Sequence, residues 1–469
     1  MGKQKLNIKD IHTITFPSEV ARSLGLNIMN RHFKHISNDE KLQLLKDVLL
    51  EPEKFKTHDT LGILAYKLAG PQIVSVSREV FELLDEPRAF EVFGSKHVEH
   101  NAVHQMSVAM RLPVAVRGAL MPDAHPGYGL PIGSVVATEQ AVMPYGVGMD
   151  IGCRMALSIL DLPGSYVEHN TYALKKALQE HTHFGNDGGL EEQQDHDVLD
   201  HPDFKIIELL RRLHGKAVRQ LGSSGSGNHF VEFGIVELAA DNTLGLPASK
   251  YAAILSHSGS RTLGANIAQQ YTKIAMEKCK LPGEAKSLAW LDMRSEEGQE
   301  YWRSMNLAGE YAKACHDRIH HNLRRALGVK TLCMVENHHN FAWQETLDDG
   351  REYIVHRKGA TPAASGVYGI IPGSMIAPGY IVRGLGNSVA LNSAAHGAGR
   401  KLSRLKARET TTVSAMKKQL QAEKVTLIGG STEEAPHAYK DIDLVMKSQG
   451  TLVAVEGTFL PKVVRMAKD

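Results

Sequence analysis

Apolar positions at helical spacing dominate the first part of the chain. In the stretch SNDEKLQLLKDVLLEP, Ser37 and Glu40 stand at capping-box positions, leucines follow at 42, 45 and 49, and Pro52 ends the pattern. The stretches THDTLGILAYKLAGP and SREVFELLDEP predict two further helices. We therefore predict a helical N-terminal extension over residues 1–87.

The pattern changes near residue 88. Short apolar runs between glycines, as in LPIGSVVATEQAVMPYGVGMDIGC, predict short buried strands. Helical patterns then cover 166–182, 203–220, 262–281 and 285–326, and strands with Gly-rich loops are predicted over 330–400. A last helix (RKLSRLKARETTTVSAMKKQLQAE) precedes a last strand (GTLVAVEGTF). Because strands and helices are interspersed without a βαβ rhythm, we predict an α+β domain over residues 88–469.

Composition limits the class of protein. The formal net charge of the 469 residues is +2, too small to indicate a general polyanion binder. The sequence has no apolar run that could span a bilayer and no secretory signal pattern. The four cysteines form no CxxC pair, so we expect no disulfide framework and a cytoplasmic location. The 24 histidines favour a role in metal binding or acid–base chemistry.

Metal-binding residue types recur where apolar runs end. The stretch GVGMDIGCR carries Asp150 and Cys153, and four later blocks (GSGNHFVEF, YAAILSHSGSR, LCMVENHHNFAW and VALNSAAHGAGR) carry histidines at 229, 257, 338, 339 and 396. A single such histidine is most simply a buried, hydrogen-bonded side chain, but burying all these groups separately would leave polar atoms unpaired. We therefore predict one shared site. One Asp, one Cys and three His could hold two metal ions about 3.5–4 Å apart, an arrangement suited to phosphoryl chemistry. The thiolate favours zinc, and the carboxylate with open positions favours manganese.

Several stretches have the features of anion sites. VHRKGATPAASG offers Arg357 and Lys358, IIPGSMIAPG offers backbone N–H groups in a turn, and HGAGR places His396 and Arg400 beside glycines. The basic residues between 400 and 408 are either a solvated helix face or a strip that binds nucleic acid. We interpret the histidines at 97, 100, 104, 181, 183 and 437 as structural or surface residues, whereas PDAHPGYG could border the site through Asp123 and His125.

A series of motifs then resembles a known family. In order along the chain they are PDAHPGYGLPIGSV, GMDIGC, GNHFVE, SHSGSR, HHNF, RKGA, YGIIPGSM, YIVRGLGN, HGAGR and AYKDID. This order is similar to that of the RtcB family of RNA ligases, from about residue 88 to the end. The resemblance implies an RtcB-like α+β fold, with β-sheets surrounded by helices around a deep cleft for two metal ions.

The resemblance also implies a reaction. Members of the family join RNA that ends in a 3′-phosphate or 2′,3′-cyclic phosphate to RNA with a 5′-hydroxyl, in tRNA splicing or RNA repair. They use GTP and two Mn²⁺ ions, and GMP is carried on a histidine. The implied partners are RNA and GTP. We expect a monomer without membrane association, and the need for an activator protein stays open.

Residue by residue, the motifs make His396 similar to the guanylylated nucleophile. Asp150, Cys153 and His229 resemble the ligands of one manganese ion, and Cys153, His257 and His339 resemble those of a second, with Cys153 bridging. The residues implied to contact the nucleotide are Asn228, Glu232, Asn340, Ser374, Met375, Gly397, Ala398, Gly399, Tyr439 and Lys468. The candidate contacts to RNA or phosphate are Arg261, Arg357, Lys358 and Arg400.

Three positions depart from the family pattern. Arg154 follows Cys153 where glycine is usual, Gly379 stands where serine is common, and Ala394-Ala395 precede HGAGR in place of a cysteine and a serine. No ligand or nucleophile is lost, so we predict an active ligase whose strictness for GTP is open because of Gly379. Two alternatives remain: a dinuclear metal phosphoesterase acting on RNA ends without nucleotide, and a non-ligating RNA-binding paralogue.

Overall fold

The computed structural model describes residues 6–7, 10–11, 14–17, 19–58, 60–69, 79–185 and 193–467. Its helices in these ranges are α1 (Glu19–His32), α2 (Asn38–Leu50), α3 (Gly62–Ala69), α4 (His100–Met110), α5 (Pro144–Val147), α6 (Ser165–His169), α7 (Thr171–His181), α8 (Asp203–Ile206), α9 (Glu208–Gln220), α10 (Arg261–Lys278), α11 (Glu296–Leu327), α12 (Arg404–Thr410), α13 (Val413–Ala422) and α14 (Ile442–Lys447).

The strands follow the same numbering along the chain. They are β1 (Glu79–Val80), β2 (Phe90–Val92), β3 (Ala115–His125), β4 (Ile132–Thr138), β5 (Ala141–Val142), β6 (Arg154–Pro163), β7 (Phe230–Leu238), β8 (Lys250–Ser258), β9 (Cys279–Lys280), β10 (Leu291–Asp292), β11 (Thr331–His338), β12 (Asn340–Thr346), β13 (Glu352–Lys358), β14 (Ala360–Pro362), β15 (Tyr368–Ile371), β16 (Gly379–Gly384), β17 (Ser393–Ala395), β18 (Thr426–Ile428) and β19 (Val453–Met466).

The largest sheet is nearly closed into a barrel. Its strand order is β11-β6-β8-β7-β19-β16-β15, with β18 pairing on β19. The first and last strands meet where the Ile370 N–H donates to Asn337 Oδ1 over 2.8 Å. Side chains alternate along each strand, so Leu157 and Leu255 lie in the inner apolar cluster and Ile254 in the outer one.

A second sheet, β12-β13-β4-β3-β2, packs beside the barrel. One of its faces joins the large apolar cluster formed with α4, α9, α10 and α11. Its other face packs on barrel residues such as Ile371 and Val382. This mixed architecture agrees with the predicted α+β class. The boundary predicted at residue 87 stays a prediction.

Helix α2 confirms the capping box. The Ser37 hydroxyl accepts the Glu40 N–H over 3.3 Å, and the Glu40 carboxylate accepts the Ser37 N–H over 2.7 Å. Helices α1 to α3 bury their own apolar cluster, which includes Leu45 and Leu64. Within the described ranges, no helix combines the length and apolar character needed to cross a bilayer.

Two predicted helices, 166–182 and 203–220, are each interrupted by a single residue, Asn170 and Ile207, and three others differ more. The stretch SREVFELLDEP is not helical where described: β1 pairs in parallel with β9, and Phe81 packs against Trp290 with 4.6 Å between ring centroids. The predicted helix 285–326 begins only at Glu296, because the Ser295 hydroxyl caps it by accepting the Gly298 N–H. The predicted helix after HGAGR is split, since Thr412 caps a new helix, α13. In each case tertiary pairing or a local cap outweighs helical periodicity.

Candidate active site

The candidate metal ligands lie at one rim of the barrel. In the antiparallel order β11-β6-β8-β7, the end of β11 lies beside the start of β6, the end of β8 and the start of β7. His339, Cys153, His257 and His229 stand at these four strand ends. Residues distant in the chain therefore converge because antiparallel neighbours alternate direction.

The donor atoms are within contact of one another. Cys153 Sγ lies 3.1 Å from His257 Nε2 and 3.3 Å from His229 Nε2. His257 Nε2 lies 3.2 Å from His339 Nε2, and His229 Nε2 lies 2.8 Å from Asp150 Oδ2. The side chains of Cys153, His229 and His257 form a group that could hold one metal ion. The structure thus brings together all five predicted ligands.

Hydrogen bonding supports a metal as occupant of this group. His257 Nδ1 faces the Asn228 carbonyl oxygen at 3.0 Å, so it carries the proton and leaves a lone pair on Nε2. That lone pair points at Cys153 Sγ, which also contacts His229 Nε2, and at His339 Nε2, so several donor atoms converge on one point. An imidazole held by a backbone carbonyl on its far nitrogen is the usual form of a metal ligand.

Burial sets the protonation of the cluster. Burial and the neighbouring Asp150 raise the pKa of the Cys153 thiol well above its ordinary value. Burial lowers the pKa of His257 to about 3. For Asp150, burial would raise the pKa, but His229 and the surrounding hydrogen bonds lower it to about 2. A carboxylate at Asp150, a neutral imidazole at His257 and a thiol that needs a nearby cation to ionise fit a divalent metal.

His396 lies beside the cluster and is held by Asp123. The rings of His339 and His396 are 5.0 Å apart between centroids. Asp123 Oδ2 accepts from His396 Nδ1 over 2.6 Å and from the His396 backbone N–H over 3.2 Å. The carboxylate therefore fixes the proton on Nδ1 and leaves a lone pair on Nε2.

A cavity of about 480 Å³ opens from the barrel mouth next to His396. We call it the barrel-mouth cavity. Its lining includes most residues predicted to contact nucleotide, namely Asn228, Glu232, Ser374, Met375, Gly397, Ala398, Gly399 and Tyr439. Asn340 instead supports a turn, because its Oδ1 accepts the Gly359 N–H over 3.0 Å. Lys468 lies outside the described residues.

Two carboxylates lie at this cavity. Glu232 is 4% exposed, and burial raises its pKa well above the ordinary value. Glu434 accepts hydrogen bonds from Tyr439 and, over 3.0 Å, from Arg400. Sequence reasoning missed Glu434, because TEEAPHAYK gives no sign that its carboxylate is buried. A buried carboxyl group in a cavity can recognise neighbouring N–H donors of a ligand.

The four candidate cations have different environments. Arg261 lines a second cavity of about 660 Å³, which we call the basic cavity, together with Lys216, Arg219, Asp150 and His229. Lys358 donates to the backbone carbonyls of Tyr128 and Tyr145, and burial lowers its pKa to about 8. Asp150 and His229 therefore face the basic cavity, while His257 and His339 line the barrel-mouth cavity.

Arg261 donates to Ser223 Oγ over 3.2 Å and to the Gly185 carbonyl oxygen over 2.5 Å, and the remaining two cations, Arg357 and Arg400, are likewise engaged by the protein. Arg357 is 1% exposed and donates to Glu345, Ser393 Oγ and the Leu391 carbonyl oxygen. Arg400 donates to Glu434 and to the backbone. Their guanidinium groups support the walls of the site.

The positions that depart from the family pattern leave the cluster intact. Successive side chains of a strand point to opposite faces, so Arg154 points away from Cys153, to the outer face of the barrel. There it pairs with Glu336 at 3.3 Å. Gly379 lines the barrel-mouth cavity, and a Cβ there would meet the Ile371 carbonyl oxygen at an ordinary 3.4 Å. Ala394 and Ala395 are buried in β17.

Comparison with known proteins identifies the family. The family model of the tRNA-splicing ligase RtcB matches residues 105–208 and 184–466. The chain belongs to the RtcB family. It is 34% identical over 393 residues to the RNA-splicing ligase RtcB of Escherichia coli strain K12, covering 76% of this chain and 92% of that protein.

Other RtcB relatives are similarly distant. The RNA-splicing ligase RtcB of Mycobacterium tuberculosis is 32% identical over 405 residues, covering 72% of this chain and 93% of that protein. The tRNA-splicing ligase RtcB of Nanoarchaeum equitans is 29% identical over 418 residues, covering 74% of this chain and 87% of that protein. The candidate metal cluster, His396 and both cavities lie within the part of the chain that matches the RtcB family model.

Proposed function

We propose that this protein is an RNA ligase that joins a 3′-phosphate or 2′,3′-cyclic phosphate end to a 5′-hydroxyl end. It would use GTP and two Mn²⁺ ions, acting as a monomer in tRNA splicing or RNA repair. The observation that carries the proposal is the position of His396, whose Nδ1 is held by Asp123 while its ring lies beside the histidine–cysteine cluster.

The cluster residues support a metal-dependent phosphoryl transfer. Asp150, Cys153, His229, His257 and His339 would hold the two ions, with Cys153 shared. When bound, divalent metal neutralises phosphate oxygens and orients the leaving group. The carboxylate and open positions favour manganese over zinc as the working metal.

Three displacements at phosphorus account for the reaction. In the first, His396 Nε2 attacks the α-phosphorus of GTP, forming a P–N bond and releasing pyrophosphate. In the second, an oxygen of the RNA 3′-phosphate attacks that phosphorus and breaks the P–N bond. In the third, the 5′-hydroxyl attacks the RNA phosphate, loses its proton and expels GMP. A cyclic phosphate end would first be opened by water to the 3′-phosphate.

The two cavities give separate places for the two substrates. The barrel-mouth cavity beside His396 has the small and polar lining that suits GTP, with Glu232 available to N–H donors of guanine. The basic cavity places Lys216, Arg219 and Arg261 next to Asp150 and His229. Lys216 and Arg219 are exposed and Arg261 is buried, and cations around a metal suit an RNA end and its phosphates.

The test is transfer of label from GTP to the protein. Purified protein is incubated with GTP labelled at the α-phosphate, with Mn²⁺ or with EDTA, beside His396→Ala and the exposed control His104→Ala. We expect acid-labile label on the wild-type and control proteins, and none with EDTA or with His396→Ala. Folding of each variant is checked by circular dichroism.

Other outcomes would redirect the proposal. Absence of label on folded protein with Mn²⁺, together with phosphate release from RNA ends without nucleotide, would favour the phosphoesterase. Equal labelling from ATP and GTP would keep the histidine intermediate but overturn guanine selection, with Gly379 as the first position to examine.

A further inference from the structure

A third cavity continues from the basic cavity along helix α10. It has a volume of about 400 Å³, and we call it the α10 cavity. Its lining consists of Tyr145, Met149, Gln269, Thr272, Lys273, Met276, Glu277, Lys280 and Lys286. Met149 lines both this cavity and the basic cavity, so the two adjoin.

One face of α10 connects the two cavities. Arg261, Thr262 and Ala265 line the basic cavity, and Gln269, Thr272 and Met276 line the α10 cavity. From Thr262 onward these residues follow at intervals of three or four, which places them on one side of the helix, with Arg261 beside them at its start. From Arg261 to Lys278 the helix extends about 25 Å at 1.5 Å per residue, and Lys280 and Lys286 follow just beyond its end.

The face is basic although the chain is nearly neutral. Six cations border the two cavities, Lys216, Arg219, Arg261, Lys273, Lys280 and Lys286, against the acidic residues Asp150 and Glu277. Lys273 lies 4.0 Å from Glu277, an exposed pair that contributes little. Lys280 and Lys286 are exposed and form no ion pair with any described residue.

An exposed apolar side chain lies at the junction of the cavities. Met149 is 42% exposed although Val147 and Ile151 on either side of it are fully buried. Met276 offers a second thioether within the α10 cavity. Soft, flexible methionine side chains can pack on the faces of bases without choosing between them.

We propose that the outer face of α10 binds the single-stranded RNA beyond its terminal nucleotide, leading it from the basic cavity into the α10 cavity. The inference rests on the proposed function, since it assumes that an RNA end occupies the basic cavity. Lys280 and Lys286 bind the backbone phosphates, and Met149 packs against a base. Cations around a linear trough that starts at the metal cluster suit a nucleic-acid strand better than a folded partner.

The experiment compares two 5′-hydroxyl RNAs, a dinucleotide and a strand of about 10 nucleotides, a length typical of single-strand sites. Binding is measured by competition fluorescence anisotropy with Mn²⁺ and without GTP. The test variant is Lys280→Gln with Lys286→Gln. The matched control is Lys46→Gln with Lys447→Gln, two exposed lysines outside both cavities.

Loss of two phosphate contacts has a defined signature. Each contact contributes about −0.7 to the slope of log affinity against log salt, so the test variant should have a slope less negative by about 1.4 for the longer RNA. Its affinity for that RNA should fall roughly tenfold or more at 0.1 M salt. The dinucleotide, the control variant and label transfer from GTP should be unaffected.

Three results would overturn the inference: an unchanged salt slope for the longer RNA, an equal loss of affinity for the dinucleotide, or competition by polyglutamate as strong as that by RNA. The last would indicate an acidic protein as the partner. Failure of the proposed function has a different signature. If wild-type protein takes no label from GTP but still binds the longer RNA through the two lysines, ligation is rejected and the binding surface stands.

Discussion

At the scale of residues, the contact between Asp123 and His396 is the most consequential one. The two residues are 273 positions apart, and one carboxylate oxygen accepts both the ring Nδ1–H and the backbone N–H of His396. Asp123 is fully buried, and its other oxygen has no hydrogen-bond partner among the described residues. The carboxylate is therefore placed to orient the imidazole and to stabilise positive charge on it.

We expect Asp123→Asn to slow the transfer of label from GTP to the protein by about 10- to 100-fold, because a hydrogen bond to a charged group is replaced by a neutral one. The rate of labelling under single-turnover conditions measures this directly. The amide keeps the size of the side chain, so circular dichroism should be unchanged. A labelling rate equal to that of the wild-type protein would exclude a positioning role for Asp123.

The sequence predicts residue types at the site better than their contacts. Asp150 and Cys153 share one loop, and each histidine block follows or begins an apolar run, so their convergence could be predicted. Whether a basic side chain is free to bind a ligand could not be predicted, because that depends on hydrogen-bond partners that are distant in the sequence. Arg357 is engaged by Glu345 and Ser393, which only the fold brings together.

At the scale of elements, side chains alternate along β8, so that a residue of the candidate site lies on one face and a supporting residue on the other. His257 points into the site, while Ser256 on the outer face faces α11. The Ser256 hydroxyl lies 2.6 Å from His316 Nδ1 and 2.8 Å from His320 Nε2, and His320 Nδ1 lies 2.7 Å from the Ser158 hydroxyl. This buried polar layer fixes α11 against β6 and β8, directly behind the candidate metal cluster.

We expect Ser256→Ala to destabilise the protein more than Ser158→Ala. Removing the Ser256 hydroxyl leaves two buried imidazole nitrogens unpaired, whereas removing the Ser158 hydroxyl leaves one. Each unpaired buried group costs about 1–3 kcal/mol. Chemical denaturation monitored by tryptophan fluorescence would measure the two losses. Equal losses for the two variants would contradict the proposed sharing of the Ser256 hydroxyl.

Element boundaries were the least predictable feature. Helix α2 carries its capping signal locally, and its start was predicted correctly. The stretch SREVFELLDEP has helical periodicity, yet β1 pairs with β9, a partner two hundred residues further along the chain. Periodicity reports only which side chains are buried, and short segments take the backbone conformation that their tertiary partners impose.

At the scale of the whole molecule, closure of the barrel creates the site. Mixed α+β composition could be predicted from the interspersed patterns, but the meeting of β11 with β15 could not. That contact depends on the buried Asn337 side chain, which also donates to Thr361 Oγ1 over 2.7 Å. Because it joins the first and last strands of the sheet, the contact fixes the barrel rim that carries the candidate metal ligands.

The histidines that are buried in the folded molecule predict how its stability responds to acid. Burial lowers the pKa of His125 and His356 to about 4, and of His320 and His338 to about 3. Between these values and about 6.5 the unfolded chain binds more protons than the folded one, so the free energy of unfolding falls as pH falls. Each histidine contributes a slope of up to about 1.4 kcal/mol per pH unit. Above pH 6.5 the stabilisation is fully present.

Calorimetry of EDTA-treated protein should therefore show the melting temperature falling from pH 7 to pH 5. His356 accepts the Met143 N–H over 2.9 Å through Nε2, and its Nδ1 lies 3.2 Å from the Val136 carbonyl oxygen, so it is neutral when folded. The variant His356→Gln cannot take up that proton on unfolding and should show a shallower fall, whereas exposed His104→Gln should match the wild type. A melting temperature that is constant over this range would mean that these histidines do not titrate on unfolding.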